Sequence, residues 1–408
     1  MSFQITPGFE LVANPQVLAP AALGKPQQAT LSPAGFAKAK QEITSWPGYQ
    51  PTPLIALDRA ADALGLGQIY YKHEADRFNL GSFKALGGAY AVANLLKREL
   101  AKAGLCDEAS YQDLTSGKYA EFISKVAVTC ATDGNHGRSV AWGSQLFGCQ
   151  CIIYIHATVS EGRKQAIEGF GAQVVRVPGN YDDAVRQADE DAKALGRFVV
   201  SDTSYPGYLE VPKDVMQGYT VMIDEAIGQL PKQQAPTHLF VQGGVGGLAA
   251  AAVAQLWQHF GDARPHCVIV EPDKADCLYQ SARKGEPVVV HGELDTLMAG
   301  LACGEVSLLA WDILRDGASH FMTVSDESAV DCMRLLADNS ACSSQGIEAG
   351  ESAVAGLAGL ILACQDPAAR QQLQLDQHSR VLLIGSEGAT DPELYHQLVT
   401  QALQQEQS

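Results

Sequence analysis

At 408 residues, 46% hydrophobic and 18% charged, the chain is too long for one compact core and has an ordinary globular composition. A formal net charge of −17, with no basic run, argues against nucleic acid or an anionic membrane as a partner, because the phosphate-neutralising side chains are missing. The opening MSFQITPGFELVANP lacks the basic start and apolar core of a secretory signal, and no stretch is long enough to span a bilayer; cytoplasm is the expected compartment.

In chain order, the first informative segment is Gly81–Ala89, which places Lys84 directly before a long apolar helix. An amine there can form a Schiff base with an aldehyde cofactor if burial or nearby positive charge leaves it partly neutral. The plainer alternative is a surface lysine in a first helical turn. Next come β-branched runs at Lys125–Ala131, Cys151–His156, Gln173–Val177 and Arg197–Asp202, separated by amphipathic stretches at Asn135–Phe147, Glu161–Phe170 and Tyr181–Leu195. Short strands alternating with helices of this length predict parallel β-α units, and nearly all-apolar strands predict helices on both faces. The pattern resumes with a helix over Lys213–Gly228, a strand His238–Gln242, a helix Gly247–Phe260 and strands at Cys267–Glu271, Phe321–Val324 and Val381–Ile384. The expected organisation is a small α/β domain, 91–210, inserted in a large one formed by 1–90 and 211–408. The glutamine-rich end, Gln401–Ser408, is expected to fray.

The ten cysteines have no Cys-x-x-Cys or other zinc spacing, and no His-Glu-x-x-His motif occurs, so no metal site is expected. Cys149 and Cys151 read as small core residues. Cys277 and Cys303 flank loops near the later glycine-rich region, where a regulatory disulfide is one reading and two thiols the other.

Three glycine-bearing loops carry chemistry. In Gln242-Gly243-Gly244-Val245-Gly246-Gly247, between a strand and an alanine-rich helix, glycines turn backbone N–H groups toward one point and the helix N-terminus favours an anion such as phosphate. The same segment fits the dinucleotide fingerprint Gly244-x-Gly246-x-x-Ala249, with Glu271 ending the next strand where an acid would meet a ribose. In Thr132-Asp133-Gly134-Asn135-His136-Gly137, Asn135 can cap the following helix or hold a cofactor hydroxyl. Asp133 can shape the loop, bind a substrate ammonium or act as a general base. In Gly385–Asp391, Ser386 can hydrogen-bond a ring nitrogen, and Thr390 can cap a helix.

Taken together, the lysine, asparagine, glycine and serine loops come in the order found in the pyridoxal-phosphate enzymes of fold type II, the tryptophan synthase β-like group, which the chain resembles. A dinucleotide site has no use for the Lys84 and Asn135 loops. Within the group the chain looks like the diaminopropionate ammonia-lyase family, through Ser45–Tyr49, Gly81–Tyr90, Thr129–Trp142, His156–Arg163, Ser201–Tyr205, Val241–Ala250, Val270–Gln280, Ala299–Ser307 and Gly385–Asp391. The threonine and serine dehydratases of the group usually have a small residue where this chain has Asp133. A carboxylate there is a liability for serine or threonine and an asset for a substrate with a second ammonium.

The resemblance implies an α/β, two-lobed fold with mostly parallel sheets flanked by helices, and pyridoxal 5'-phosphate as cofactor. It implies α,β-elimination of 2,3-diaminopropionate, L and D isomers, to pyruvate and two ammonia, in a homodimer. It assigns Lys84 as the cofactor lysine and the base for the L isomer, and Asp133 as the base for the D isomer. Asp202, at the expected end of its strand, joins Asp133 as a candidate for the β-nitrogen. The phosphate falls to Gly243, Gly244, Val245, Gly246 and Gly247, the ring hydroxyl to Asn135 and the ring nitrogen to Ser386, with Glu351 or Glu387 as the carboxylate alternative.

Overall fold

A computed structural model describes residues 3–19 and 22–400, so the expectation for 401–408 lies outside the described residues. The chain divides into two compact units, one of Met1–Pro33, Pro51–Ser82 and Met222–Ser408, the other of Ala34–Gln50 and Phe83–Val221. Among the described residues no helix is long and apolar enough to cross a membrane.

The larger unit holds β1 (Phe9–Ala13), β2 (Leu54–Ala56), β3 (Gln68–His73), β8 (His238–Gln242), β9 (His266–Pro272), β10 (His320–Val324) and β11 (Arg380–Gly385). They form a seven-stranded sheet in the order β1-β10-β9-β8-β11-β3-β2. The five inner strands run parallel, and the edge strands β1 and β2 run antiparallel to β10 and β3. Every residue of β8 and β10 is buried, as expected of strands covered on both faces. The helix Ala355–Gln365 is apolar nearly all round, is buried over Ala355–Ala363, and packs on β8, β9 and β10.

The charged run Lys72-His73-Glu74-Ala75-Asp76-Arg77 closes β3 and continues beyond it, and Lys72, Glu74 and Arg77 within it are buried. Arg77 donates to both Glu74 (2.8 Å) and Glu225 (2.7 Å), and Lys72 Nζ donates to Glu225 Oε2 at 2.8 Å and to the Thr52 carbonyl at 2.7 Å. Two cations matched by two carboxylates leave no uncompensated charge, the condition for burying ions at all. This network anchors the chain just before it runs into the lysine loop.

The smaller unit contains β4 (Ala127–Ala131), β5 (Gln150–His156), β6 (Gln173–Val177) and β7 (Phe198–Val199), all parallel, in the order β6-β5-β4-β7. The helix Tyr181–Leu195 starts on a capping box in which Asn180 and Asp183 satisfy each other's backbone N–H. The strand expected over Arg197–Asp202 is shorter. Only Phe198 and Val199 pair in register with β4, because the Tyr208 hydroxyl donates to the Val199 carbonyl (2.8 Å) and accepts from the Ser201 N–H (3.0 Å), taking over the ladder's bonds. Asp202 therefore sits in a loop rather than on a strand.

The unit boundaries differ from 90/91 and 210/211, falling at 82/83 and 221/222. The helix Lys84–Lys102 belongs to the smaller unit because it packs on the helix Asn135–Phe147 at backbone distance: a Cβ on Gly143 would lie 2.7 Å from Ala89 Cα, and one on Gly88 would collide with Ser139 Oγ. Residues 34–50 join the same unit through Trp46, whose ring meets Trp142 and Phe147 edge-on at 5.8 and 6.1 Å.

Candidate active site

In the smaller unit Lys84 opens the helix Lys84–Lys102, and its carbonyl accepts a hydrogen bond from Ser139 Oγ at 2.7 Å. Its Nζ lies 2.6 Å from Asp202 Oδ2, with both side chains less than one-fifth exposed. The Phe83 and Tyr219 rings flank the amine at 5.5 and 6.0 Å from their centroids. Burial by itself would raise the Asp202 carboxyl. The Lys84 ammonium, the His136 imidazole and the hydrogen bond from Lys84 outweigh it and hold the acid well below the usual carboxylate range. Burial lowers the basicity of His136, opposed by the Asp202 charge; its Nε2 hydrogen-bonds the Val200 carbonyl at 2.7 Å and its Nδ1 is 4.0 Å from Asp202. The sequence reading did not select His136, although it stands beside Asn135 in the same loop.

That loop is shaped by Thr132, whose Oγ1 accepts from the N–H groups of Gly134 and Gly137, each at 3.0 Å. Asn135 is the first residue of its helix; the cap position falls to Gly134 and no side chain caps it. The capping role considered for Asn135 is thus not the one the fold uses. Asp133 Oδ1 lies 2.7 Å from His156 Nε2, a partner that sequence reasoning missed. The smaller unit thus gathers Lys84, Asp202 and His136 around one amine and pairs Asp133 with His156.

In the larger unit the glycine loop follows β8. Gly244 and Gly246 have φ of +63° and +97°, conformations that disfavour a side chain, and the helix Gly247–Phe260 begins at once. The N–H groups of its first residues have no carbonyl one turn earlier, an arrangement that suits an anion. A Cβ on Gly243 would lie 2.6 Å from Glu271 Cγ, so the buried glutamate directly backs the loop. Glu271 accepts from the N–H groups of Leu278 (3.1 Å) and Tyr279 (2.7 Å), at the start of the helix Cys277–Lys284. It serves this helix end and does not reach out as a ribose ligand. Cys277 and Cys303 are both thiols.

Ser386 is buried at the end of β11, where its Oγ accepts from Gln242 Nε2 at 2.9 Å. Gln242 also donates to the carbonyls of Ser352 and Ile384, each at 3.0 Å, while its Oε1 is buried without a hydrogen-bond partner. Glu387 Oε1 accepts from the Ser352 N–H at 3.1 Å, and Glu351 lies buried in the turn 351–353. Asp391, rather than Thr390, caps the next helix. Among the described residues no group of His, Cys, Asp or Glu could hold a metal ion.

The family described as pyridoxal-phosphate dependent enzyme matches residues 45–387. The chain belongs to that family. The diaminopropionate ammonia-lyase of Escherichia coli (strain K12) is 40% identical over 357 residues, 86% of this chain and 88% of its own. The crystal structure of diaminopropionate ammonia lyase from Escherichia coli in complex with an aminoacrylate-PLP azomethine reaction intermediate is similar at a TM-score of 0.86 and 35% identity, over 98% of each chain. Its complex with D-serine gives 0.87 and 35%, also over 98% of each. The fold is type II, with mostly parallel sheets flanked by helices. Each unit by itself offers groups that fit the family's cofactor: the larger a glycine loop backed by the buried Glu271 and a hydroxyl at Ser386, the smaller a lysine amine beside two aromatic rings.

The Glu271 carboxyl is pushed up from 4.5 to about 8, chiefly by burial, although the two backbone N–H groups oppose this. Between these values the folded protein keeps a proton that the unfolded chain has released. This contribution to stability is therefore complete below pH 4.5 and is lost as pH rises through about 8. Glu271→Gln removes the ionisation and keeps an acceptor oxygen for one of the two N–H groups, at a stability cost that does not change with pH. Thermal melts across this window should show the parent losing stability with rising pH relative to the variant; parallel curves would contradict a protonated Glu271.

Proposed function

We propose that this chain catalyses the pyridoxal-phosphate-dependent α,β-elimination of 2,3-diaminopropionate, L and D, with uptake of one water, to pyruvate and two ammonia. The observation that carries the reading is the pair of carboxylates in the smaller unit: Asp202 on the Lys84 amine at 2.6 Å, and Asp133 in the asparagine loop. A substrate with a second ammonium finds a countercharge for it that serine or threonine, with a hydroxyl in that place, cannot use. The likeness to diaminopropionate ammonia-lyases over most of both chains supports the same choice.

In this reading Lys84 supplies the amine to which the cofactor is attached, Gly243–Gly247 bind its phosphate, Asn135 its ring hydroxyl and Ser386 its ring nitrogen. A neutral hydroxyl at that nitrogen leaves it largely unprotonated, which suits elimination better than transamination. What the cofactor supplies when bound is a sink for the electron pair left at Cα. Lys84 Nζ takes the Cα proton of the L isomer, and the Asp133 carboxylate takes that of the D isomer. Asp202, kept ionised by Lys84 and His136, holds the β-nitrogen in its protonated form, from which it leaves as ammonia. The three-carbon enamine released then takes up water to give pyruvate and the second ammonia.

The test is kcat/KM for diaminopropionate beside serine and threonine on the purified holoenzyme. A strong preference for diaminopropionate supports the reading; preference for serine moves the chain to a dehydratase. The homodimer is carried by the family resemblance. Light scattering at about twice the chain mass of 43.4 kDa supports the dimer, and the single-chain mass overturns it.

A further inference from the structure

His156 ends β5, and the mechanism above gives it no part. Its Nε2 lies 2.7 Å from Asp133 Oδ1, and on the other side of the ring Thr158 Oγ1 lies 3.0 Å from Nδ1. An ionised carboxylate only accepts, so Nε2 carries the hydrogen; in the neutral ring Nδ1 is then a lone pair and takes the hydrogen of the Thr158 hydroxyl. The chain Thr158 O–H to Nδ1, then Nε2–H to Oδ1, fixes both the tautomer and the orientation of the ring.

Other charged groups pack around this pair. Arg163, from the helix Glu161–Glu168, directs Nη1 to the Asp133 carbonyl oxygen at 3.4 Å. Arg176, from β6, donates to the carbonyls of His156, Ala157 and Val159 and to the Glu161 carboxylate. Among the described residues, the side-chain hydrogen bond to the Asp133 carboxylate comes from His156. With Oδ1 held in this way, the rotation of the carboxylate is set and Oδ2 is left to act.

We infer that His156 is a positioning residue for Asp133, which sets how well this carboxylate serves the D isomer. The inference rests on the reading of Asp133 as the D-isomer base. A hydrogen bond to a charged group is worth enough to change a rate about tenfold. His156→Phe, in holoenzyme of full cofactor content, should lower the D-to-L ratio of kcat about tenfold. His156→Gln, which keeps an N–H donor at a similar reach, should restore most of it. Thr158→Val, at an exposed position, should shift the ratio in the same direction by less and guards against a misfolded His156 variant.

Asp133→Asn measured in parallel separates the two levels. If Asp133→Asn lowers D turnover selectively while His156→Phe and Thr158→Val leave the ratio unmoved, the positioning role is overturned and the base assignment stands. If Asp133→Asn lowers both isomers equally, the base assignment itself fails. Equal loss of both isomers in His156→Phe, or no recovery in His156→Gln, also overturns the positioning role, because a purely structural side chain would behave that way.

Discussion

Lys84→Ala and Lys84→Arg both lose turnover of the L isomer by about a thousandfold or more, the scale expected when a single group is attachment point and base. The two variants separate chemistry from folding. Lys84 Nζ pairs with Asp202 Oδ2 at 2.6 Å in a site that is mostly buried. Alanine leaves that carboxylate without its ammonium, so Lys84→Ala melts at lower temperature as well as losing activity. Arginine keeps a cation beside Asp202 and retains more of the stability, yet its guanidinium stays protonated and can neither attach an aldehyde nor remove a proton. Purified Lys84→Arg should therefore be folded, lack the visible absorption of the covalently attached cofactor and be inactive. Substantial L turnover in either variant would remove Lys84 from the mechanism.

Asp133→Asn keeps the size and shape of the side chain and removes its charge. The asparagine carbonyl can still accept from His156 Nε2, so the loop built on Thr132 and capped at Gly134 is expected to hold. A general base is worth roughly 10²- to 10⁴-fold, so D-isomer kcat should fall by about 10²-fold or more while cofactor content is unchanged. The L isomer, whose base is Lys84, should lose far less. Steady-state rates on the two isomers check this directly, and equal losses would contradict the assignment of one base to each.

The parts of this protein that were legible in its sequence are those set by local chemistry. The helices at Asn135–Phe147, Tyr181–Leu195 and Gly247–Phe260 were expected at their observed limits, because glycine turns and capping residues mark their ends within a few positions. The lysine, asparagine, glycine and serine loops were legible for the same reason. What was not legible depends on partners far away in the chain. Lys84 and Asp202 are 118 positions apart, and nothing near either residue announces the pair. His156 looked like the polar end of an apolar strand until the fold brought Asp133 to it. The burial of Lys72, Glu74 and Arg77 depends on Glu225, in a helix some 150 positions later, which nothing near the run announces. The edge strands β1 and β2 and the inner strand β3 are absent from the expected strands, and Arg197–Asp202 reads too long because Tyr208 replaces its backbone partners.

The most direct test of the central claim is the stoichiometry of products from L- and D-2,3-diaminopropionate with the purified holoenzyme. The mechanism predicts two ammonia for each pyruvate from both isomers, one from the β-carbon and one from Cα. One ammonia per pyruvate from serine, with little or no product from diaminopropionate, would contradict it.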